Sequence, residues 1–350
     1  MLAGSVLRYG GPLARRRVAT MKDVAKLAGV DTSLVSRILS GASGYASLAT
    51  RERVFEAVEQ LDYRLNLAAR SLRTSRSQLL AAVVPDISNP IYEPVAVGAA
   101  RAASERGYVL LLGNAADSET FRDQYIARGV DGVLILSGTM VDETIRSLTR
   151  VETPVVVVNR RVSGIPACVT VDDTHAAVMA VDHLLALGHR RIGIIAGPEA
   201  LATTRDRLKA IDARIKLARL PVAARAFAPI TAQGGLEAAA ALVREHADVT
   251  ALLCTSFALA VGALKAAHVR GLRVPEELSV IAIHDAQMAQ FTHPSLTTVA
   301  LPMERLGVVA VEALLAIIEG GEPRRIEVHD PPELRVREST AAPRGTDEIG

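Results

Sequence analysis

Two kinds of hydrophobic pattern follow one another along the 350 residues. Between residues 20 and 61 apolar positions recur at three- and four-residue spacing, the period of a helix that buries one face. Val24, Ala25, Leu27 and Ala28 form one set, Leu34, Val35, Ile38 and Leu39 a second, and Val54, Val58 and Leu61 a third. Polar residues mark the ends. Thr20 with Asp23 reads as a capping box, Gly29 as a stop, and Asp31 and Ser47 as caps of the second and third helices. The spacing predicts a three-helix head over 18–64, preceded by a flexible basic arm over 1–17.

From residue 79 the helical period gives way to short, continuously apolar runs: 79–85, 108–114, 132–138, 154–159, 191–197, 250–256 and 278–285. Such runs predict strands covered on both faces, hence mostly parallel sheets. Ala- and Leu-rich helices are predicted between them at 95–106, 174–187, 234–246 and 258–270, and Gly107, Gly188 and Gly271 follow three of these as left-handed stops. Two such β–α series in tandem give an α/β body of two doubly wound parallel-sheet lobes. Residues 339–350 read as a loose tail without heptads.

Composition narrows the possible partners. Hydrophobic residues make 49% and charged residues 22%, a globular balance that excludes a disordered or fibrous chain. Aromatics are 3% and Trp is absent, which argues against base-stacking binders of single strands. Two cysteines, Cys168 and Cys254, sit in apolar runs and read as buried thiols, so a disulfide framework is not expected. No apolar run reaches the ~20 residues of a membrane span. The arginines at 15–17 follow a very short apolar stretch, the reverse of a secretory signal. A cytoplasmic, nucleoid-associated protein is expected, with no membrane partner. Charge is segregated. Residues 1–78 hold 13 Lys and Arg against 6 Asp and Glu, net +7; of the totals 40 and 38 this leaves 27 against 32, net −5. A basic head on an acidic body suits a polyanion partner.

The chemistry of the head agrees. VATMKDVAKLAGVDTSLVSRILSG (18–41) is a helix, a tight Gly turn and a second helix, as in a helix-turn-helix motif, where the second helix meets base edges in the major groove. Thr32, Ser33 and Ser36 put short polar groups on its outward face, and Arg37 can make the bidentate contact to guanine.

Taken with TRERVFEAVEQLDY (50–63), VPDISNP (84–90), ERGYVLLLGN (105–114), GVDGVLIL (129–136), HLLALGHRRIGIIAGP (183–198), LRVPEELSVIAIHD (272–285) and PSLTTVALPMERLG (294–307), the chain resembles the lactose/galactose repressor (LacI/GalR) family of bacterial transcription regulators. The resemblance runs from about Val18 to Glu338. It implies that Thr32, Ser33 and Arg37 read bases, and that Ser36 and Tyr63 contact the DNA backbone or pack. It also implies that 65–78 is a hinge, with Asn66 at its start, Ala69 and Leu72 facing the minor groove, and Leu72 as a wedge in the central base step. Leu65 stands where the family usually has a proline, and Leu34 where it has a hydroxyl. The implied partners are double-stranded operator DNA, a second copy of the chain, and a small-molecule effector (sugar, sugar derivative or organic acid). No cofactor, metal or catalysis is implied.

For the body the resemblance implies a periplasmic-binding-protein-like fold over 79–338. Its first lobe would take 79–172 and 303–329, its second 173–302 and 330–338. Ligands of open α/β sheets lie beyond the carboxyl ends of strands. The candidate effector residues there are Asp86, Asn89, Ile91, Tyr92, Asn159, Arg160 and Arg205, with Ser256, Phe257, His284 and Asp285 from the second lobe. The family usually has Asn-Asp where this chain has Ser256-Phe257, and Asp-Asp where it has His284-Asp285. With Arg160 and Arg205 retained, the pattern points to an anionic or partly apolar effector rather than a plain hexose. The segment 115–129 is shorter than the family's.

Rival readings have less behind them. A solute-binding protein of the same fold would need export and no DNA-binding head, and a regulator with a degenerate pocket would answer to no ligand. An enzyme would need a nucleophile elbow, a Walker loop or a dinucleotide fingerprint, and none is present. The acids of Asp172-Asp173-x-His175 read as a helix cap rather than a metal site, and His183 and His189 as structural.

Overall fold

The computed structural model describes residues 19–39, 46–63, 76–87, 89–114, 126–127, 129–136, 142–150, 152–221 and 224–344. The chain divides into two compact units, residues 1–76 and 77–350.

The first unit contains α1 (Met21–Ala28), α2 (Thr32–Leu39) and α3 (Leu48–Gln60). The Thr20–Asp23 capping box closes reciprocally: Asp23 N–H donates to Thr20 Oγ1 at 3.4 Å and Thr20 N–H to Asp23 Oδ2 at 2.8 Å. Gly29 ends α1 in the left-handed region at φ 65°, a conformation that costs glycine little. The Ser47 hydroxyl caps α3 by accepting from Thr50 N–H. Val24, Ala25, Ala28, Val35, Ile38, Val54 and Ala57 meet in the centre. Leu27, expected on the apolar side, is exposed instead. At 100° per residue it lies about 110° from the middle of the face set by Met21, Val24, Ala25 and Ala28.

The second unit begins with β1 (Leu79–Val84), α4 (Tyr92–Glu105), β2 (Val109–Asn114), β3 (Gly132–Leu136), α5 (Asp142–Leu148), β4 (Val155–Val158) and β5 (Cys168–Thr170). It continues through α6 (Asp173–Ala186), β6 (Ile192–Ala196), α7 (Ala202–Leu217), β7 (Ala224–Phe227), α8 (Ala232–Glu245), β8 (Ala251–Cys254), α9 (Phe257–Val269), β9 (Ser279–Ile283) and β10 (Thr297–Ala300). It closes with α10 (Met303–Ile318), β11 (Arg325–Glu327) and β12 (Glu333–Arg335). The first sheet has the order β2-β1-β3-β4-β5-β11 and is parallel throughout. The second repeats the plan as β7-β6-β8-β9-β10-β12, with β12 antiparallel. Helix α10 returns to pack on α4 and the first sheet.

The central strands β3, β6, β8 and β9 are buried at every position, as uninterrupted apolar runs require. VLLLGN differs: β2 is an edge strand, and Val109, Leu111 and Leu112 are exposed. Each lobe joins two helices at reciprocal glycines. A side chain on Gly98 of α4 would strike the Glu304 carbonyl oxygen, and one on Gly307 of α10 the Val95 carbonyl oxygen. Gly235 of α8 faces the Leu259 carbonyl oxygen, and Gly262 of α9 that of Ala232.

The chain end corrects the expectation of a loose tail from residue 339. Ser339 is fully buried: its hydroxyl donates to Val280 O at 2.6 Å and accepts from Thr297 N–H at 2.8 Å. His189 bonds Thr250, Ser279 and the Ala341 carbonyl oxygen, and His183 bonds Thr340. At the start of β9, before β10 begins to pair with it, Val280 N–H and carbonyl are taken up by Ser339, since buried polar groups need partners. Cys168 and Cys254 are free and buried.

Candidate functional site

In the first unit α2 is the helix that can enter a groove. The Asp31 carboxylate accepts from Ser33 N–H at 2.7 Å, fixing the first turn, and the Ser33 hydroxyl and amide hold that carboxyl below its usual range. Ser33 and Arg37 are exposed and one turn apart, while Thr32 and Ser36 are half-buried. The Arg37 guanidinium lies back along the helix, donating to the Ser33 hydroxyl at 3.0 Å and its carbonyl at 3.3 Å. Tyr63 packs against the core of the unit. Asn66, Ala69 and Leu72, with the arm over 1–17, lie outside the described residues.

In the second unit the carboxyl ends of both sheets meet at a cleft. Asn89, Ile91, Tyr92 and Asn159 line it from the first lobe. Ser256, Phe257 and His284 face them from the second, together with Thr203, Arg207, Ile230 and Ala258, which the sequence did not single out. Asn159 follows β4 and His284 follows β9, and both hold left-handed backbone at φ 70° and 69°. Non-glycine residues persist there only where the surroundings impose it, a habit of binding sites. Here the imposition is visible: Asn159 N–H is tied to Val169 O and His284 N–H to Val299 O, each across to the neighbouring strand. Both side chains are buried, at 5% and 2% exposure.

Arg207 anchors the second-lobe wall. Its Nε and Nη2 donate to one Asp173 oxygen at 2.8 and 2.6 Å, its Nη1 to Thr255 O at 2.6 Å, and Nη2 also approaches His284 Nε2 at 3.1 Å. Burial, and secondarily the Arg207 charge, hold the His284 imidazole far below its ordinary value, so it is neutral. Burial pushes the Asp173 carboxyl up while Arg207 pulls it down. The Ser256 hydroxyl caps α9, accepting from Leu259 N–H.

Four sequence candidates lie outside this cleft. Arg205 is exposed and folds back onto the Glu199 and Ala200 carbonyls at 3.0 and 2.7 Å. Helix α7 buries Thr203, Thr204, Arg207, Leu208 and Ile211, so Arg205 falls on the opposite face. Arg160 is buried beside an adjacent recess with Asp172 and Asp173, and its guanidinium pairs with Asp142. Asp285 turns away to Thr298, Arg335 and Arg337, pinning β12. Burial raises its carboxyl, but the bonds from Arg337, Thr298 and Arg335 outweigh that and lower it. Asp86 is exposed in the turn before Asn89. Of the acids at the start of α6, Asp172 caps the helix through His175 N–H, and Asp173 pairs with Arg207. Among the described residues no cluster of three His, Cys, Asp or Glu could hold a metal ion, and no helix is long and apolar enough to cross a membrane. The short segment 115–129 lies largely outside them.

Residues 20–66 match the bacterial regulatory proteins of the lacI family, and residues 181–340 a periplasmic binding protein-like domain. The chain is 33% identical to the HTH-type transcriptional regulator reg1 of Streptomyces lividans, over 93% of this chain and 97% of that one. This chain belongs to the LacI family of bacterial transcription regulators. The LacI-family protein is also 33% identical to the repressor CytR of Escherichia coli K12, over 86% of this chain and 90% of that one. Among solved structures it is similar to the Lac repressor dimer bound to operator and the anti-inducer ONPF, with 25% identity, TM-score 0.79, and 93% of this chain and 100% of that one covered. It is also similar to the regulator CelR in complex with cellobiose, with 30% identity, TM-score 0.69, and 92% and 99% covered. It is thus a sequence-specific DNA-binding regulator of transcription with an effector-binding body.

Proposed function

We propose that this LacI-family protein is a homodimeric repressor whose grip on a near-palindromic operator is set by a small molecule held between the lobes of the body. Thr32, Ser33 and Arg37 read base edges in each half-site, with Ser36 on the phosphates and Tyr63 packing the head. Asn66, Ala69 and Leu72 form the minor-groove hinge, with Leu72 as the wedge. The observation that carries the reading is the union, in one chain, of a lacI-family head with a two-lobed cleft whose walls come from separate lobes. A ligand that favours one lobe arrangement shifts that population and changes operator affinity by the coupling energy. The CelR structure contains cellobiose, and a LacI-family regulator of Enterococcus faecium was solved with ribose. Both support a polyhydroxy effector here.

The test is fluorescence anisotropy of the full chain on a duplex selected from a random library, with and without candidate effectors. Selective binding that a small molecule alters is the expected result. A chain that discriminates no duplex from bulk DNA would refute the proposal.

A further inference from the structure

The last two residues of the expected hinge, Ser77 and Gln78, are tied down where the chain enters the second unit. One carboxylate does it. Asp131 Oδ1 accepts from Ser77 N–H at 2.7 Å and from the Ser77 hydroxyl at 2.9 Å, and Asp131 Oδ2 accepts from Gln78 N–H at 2.9 Å. The same hydroxyl accepts from Leu79 N–H at 3.2 Å, so three consecutive amides close around one side chain. Bonds to an ionised acceptor are roughly twice as strong as neutral ones.

The backbone is fixed as well. Gln78 holds left-handed φ at 59°, which a residue with a side chain keeps only under constraint from its neighbours. Three bonds supply the constraint: Gln78 N–H to Asp131, Val109 N–H to Gln78 O at 2.9 Å, and Asp131 N–H to Leu79 O at 2.8 Å. Position gives the clamp its reach. Gln78 directly precedes β1 and Asp131 directly precedes β3, and β1 lies between β2 and β3, buried from Leu80 to Val84. At ~3.3 Å per residue β1 runs ~20 Å before the chain goes on to Asn89, Ile91 and Tyr92 at the cleft. One buried strand thus has the clamp at its amino end and the cleft beyond its carboxyl end. Untied, Ser77 and Gln78 would swivel about their soft backbone dihedrals, and the orientation of the first lobe would be lost there.

We infer that Asp131 is a positioning residue for operator recognition: its carboxylate locks the point where the hinge leaves the body to the sheet of the first lobe, so that the body of a dimer sets which half-site separation is accepted. The inference rests on the dimeric-repressor reading. Asp131 touches no base or phosphate in this role; it acts through Ser77 and Gln78.

A duplex selected with the unaltered full-length protein is remade with one base pair added or removed between the half-sites, a change of about 3.4 Å and about 35° along the helix. Anisotropy should show the unaltered protein preferring the original spacing by about tenfold or more, and Asp131→Ala erasing most of that preference. Discrimination among single-base variants within a half-site should stay. Asp131→Asn, which keeps one acceptor oxygen, should fall between the two. Gly262→Ala, which strains the second lobe and leaves the clamp alone, should lower Tm but keep the preference, and this separates positioning from stability. Hydrogen exchange of the unaltered protein should find the amides of Ser77, Gln78 and Leu79 protected. Spacing preference kept in Asp131→Ala, an equal loss in Gly262→Ala, an unaltered protein indifferent to spacing, or unprotected amides at 77–79 would each overturn the inference. An unaltered protein that tells no duplex from bulk DNA would refute the repressor reading, and this inference with it.

Discussion

Arg205 and Arg207 sit two positions apart on α7 and do unlike work. Replacing Arg207 with Met removes the partner of a buried carboxylate, so Arg207→Met should destabilise the body by about 3–5 kcal/mol in urea denaturation. Arg205→Met, which loses only exposed contacts to a loop, should stay within about 0.5 kcal/mol. Equal losses would mean that the two side chains have been given each other's places. In the head, Arg37→Ala should cost roughly 1–3 kcal/mol at one guanine per half-site, read by anisotropy on single-base operator variants. Uniform weakening at all positions would instead make Arg37 a phosphate contact. Much of the cleft was legible in the sequence because residues at the ends of apolar runs can be counted: Asn159, Ser256 and His284 end a run, Asn89 and Phe257 follow one, and all five line it. Arg207 was hidden by a different logic. It lies inside a helix, where only the buried period of Thr204, Arg207, Leu208, Ile211 and Ile215 marks it, and a charge on an inward stripe reads at first as solvent-facing. Ile230 escaped because it follows β7, a strand whose ARAF sequence carries no continuous apolar run.

At the scale of elements the helix pairs and the closing segment carry the most testable consequences. Each lobe seats two helices backbone to backbone at glycines, so Gly262→Ala forces α8 and α9 apart. It should cost about 1–3 kcal/mol and lower Tm, although alanine favours a free helix. An unchanged or raised Tm would show that the pair can slide. The segment from Ser339 to Ala341 is held by His183 and His189, both kept below the ordinary imidazole value by burial. The unfolded chain therefore binds more protons than the folded one as pH drops. Stability is full above about 6.5 and declines as pH falls from there toward the depressed values. His189→Phe, which cannot titrate, should flatten that decline in urea midpoints between pH 7 and 5. The long elements were legible because seven apolar runs and four Ala-rich helices each exceed a turn or a pleat in length. The short strands β5, β11 and β12 were not, since three residues are too few to make a run, and β11 and β12, paired on one side only, need little hydrophobicity.

For the whole molecule, segregated charge governs how it meets DNA. Each Lys or Arg that neutralises a phosphate releases counterions and adds about 0.9 to the slope of log affinity against log salt. Deleting residues 1–17, which removes Arg8, Arg15, Arg16 and Arg17, should lower that slope by about 0.9 for every one of them that touches phosphate. An unchanged slope in a salt series would mark the arm as idle. Connectivity constrains the molecule in another way. The chain enters the second lobe after β5, returns to the first at α10, and after β11 crosses once more to lay β12 against β10. Neither lobe is therefore a single stretch of sequence. One crossover between two related genes cannot transplant an intact lobe, because its last strand would stay behind in the other parent. Chimeras that change the effector while keeping the fold need at least two exchanged segments. Changes to the lining of the cleft in such a chain thus have an easier route through single substitutions than through shuffling.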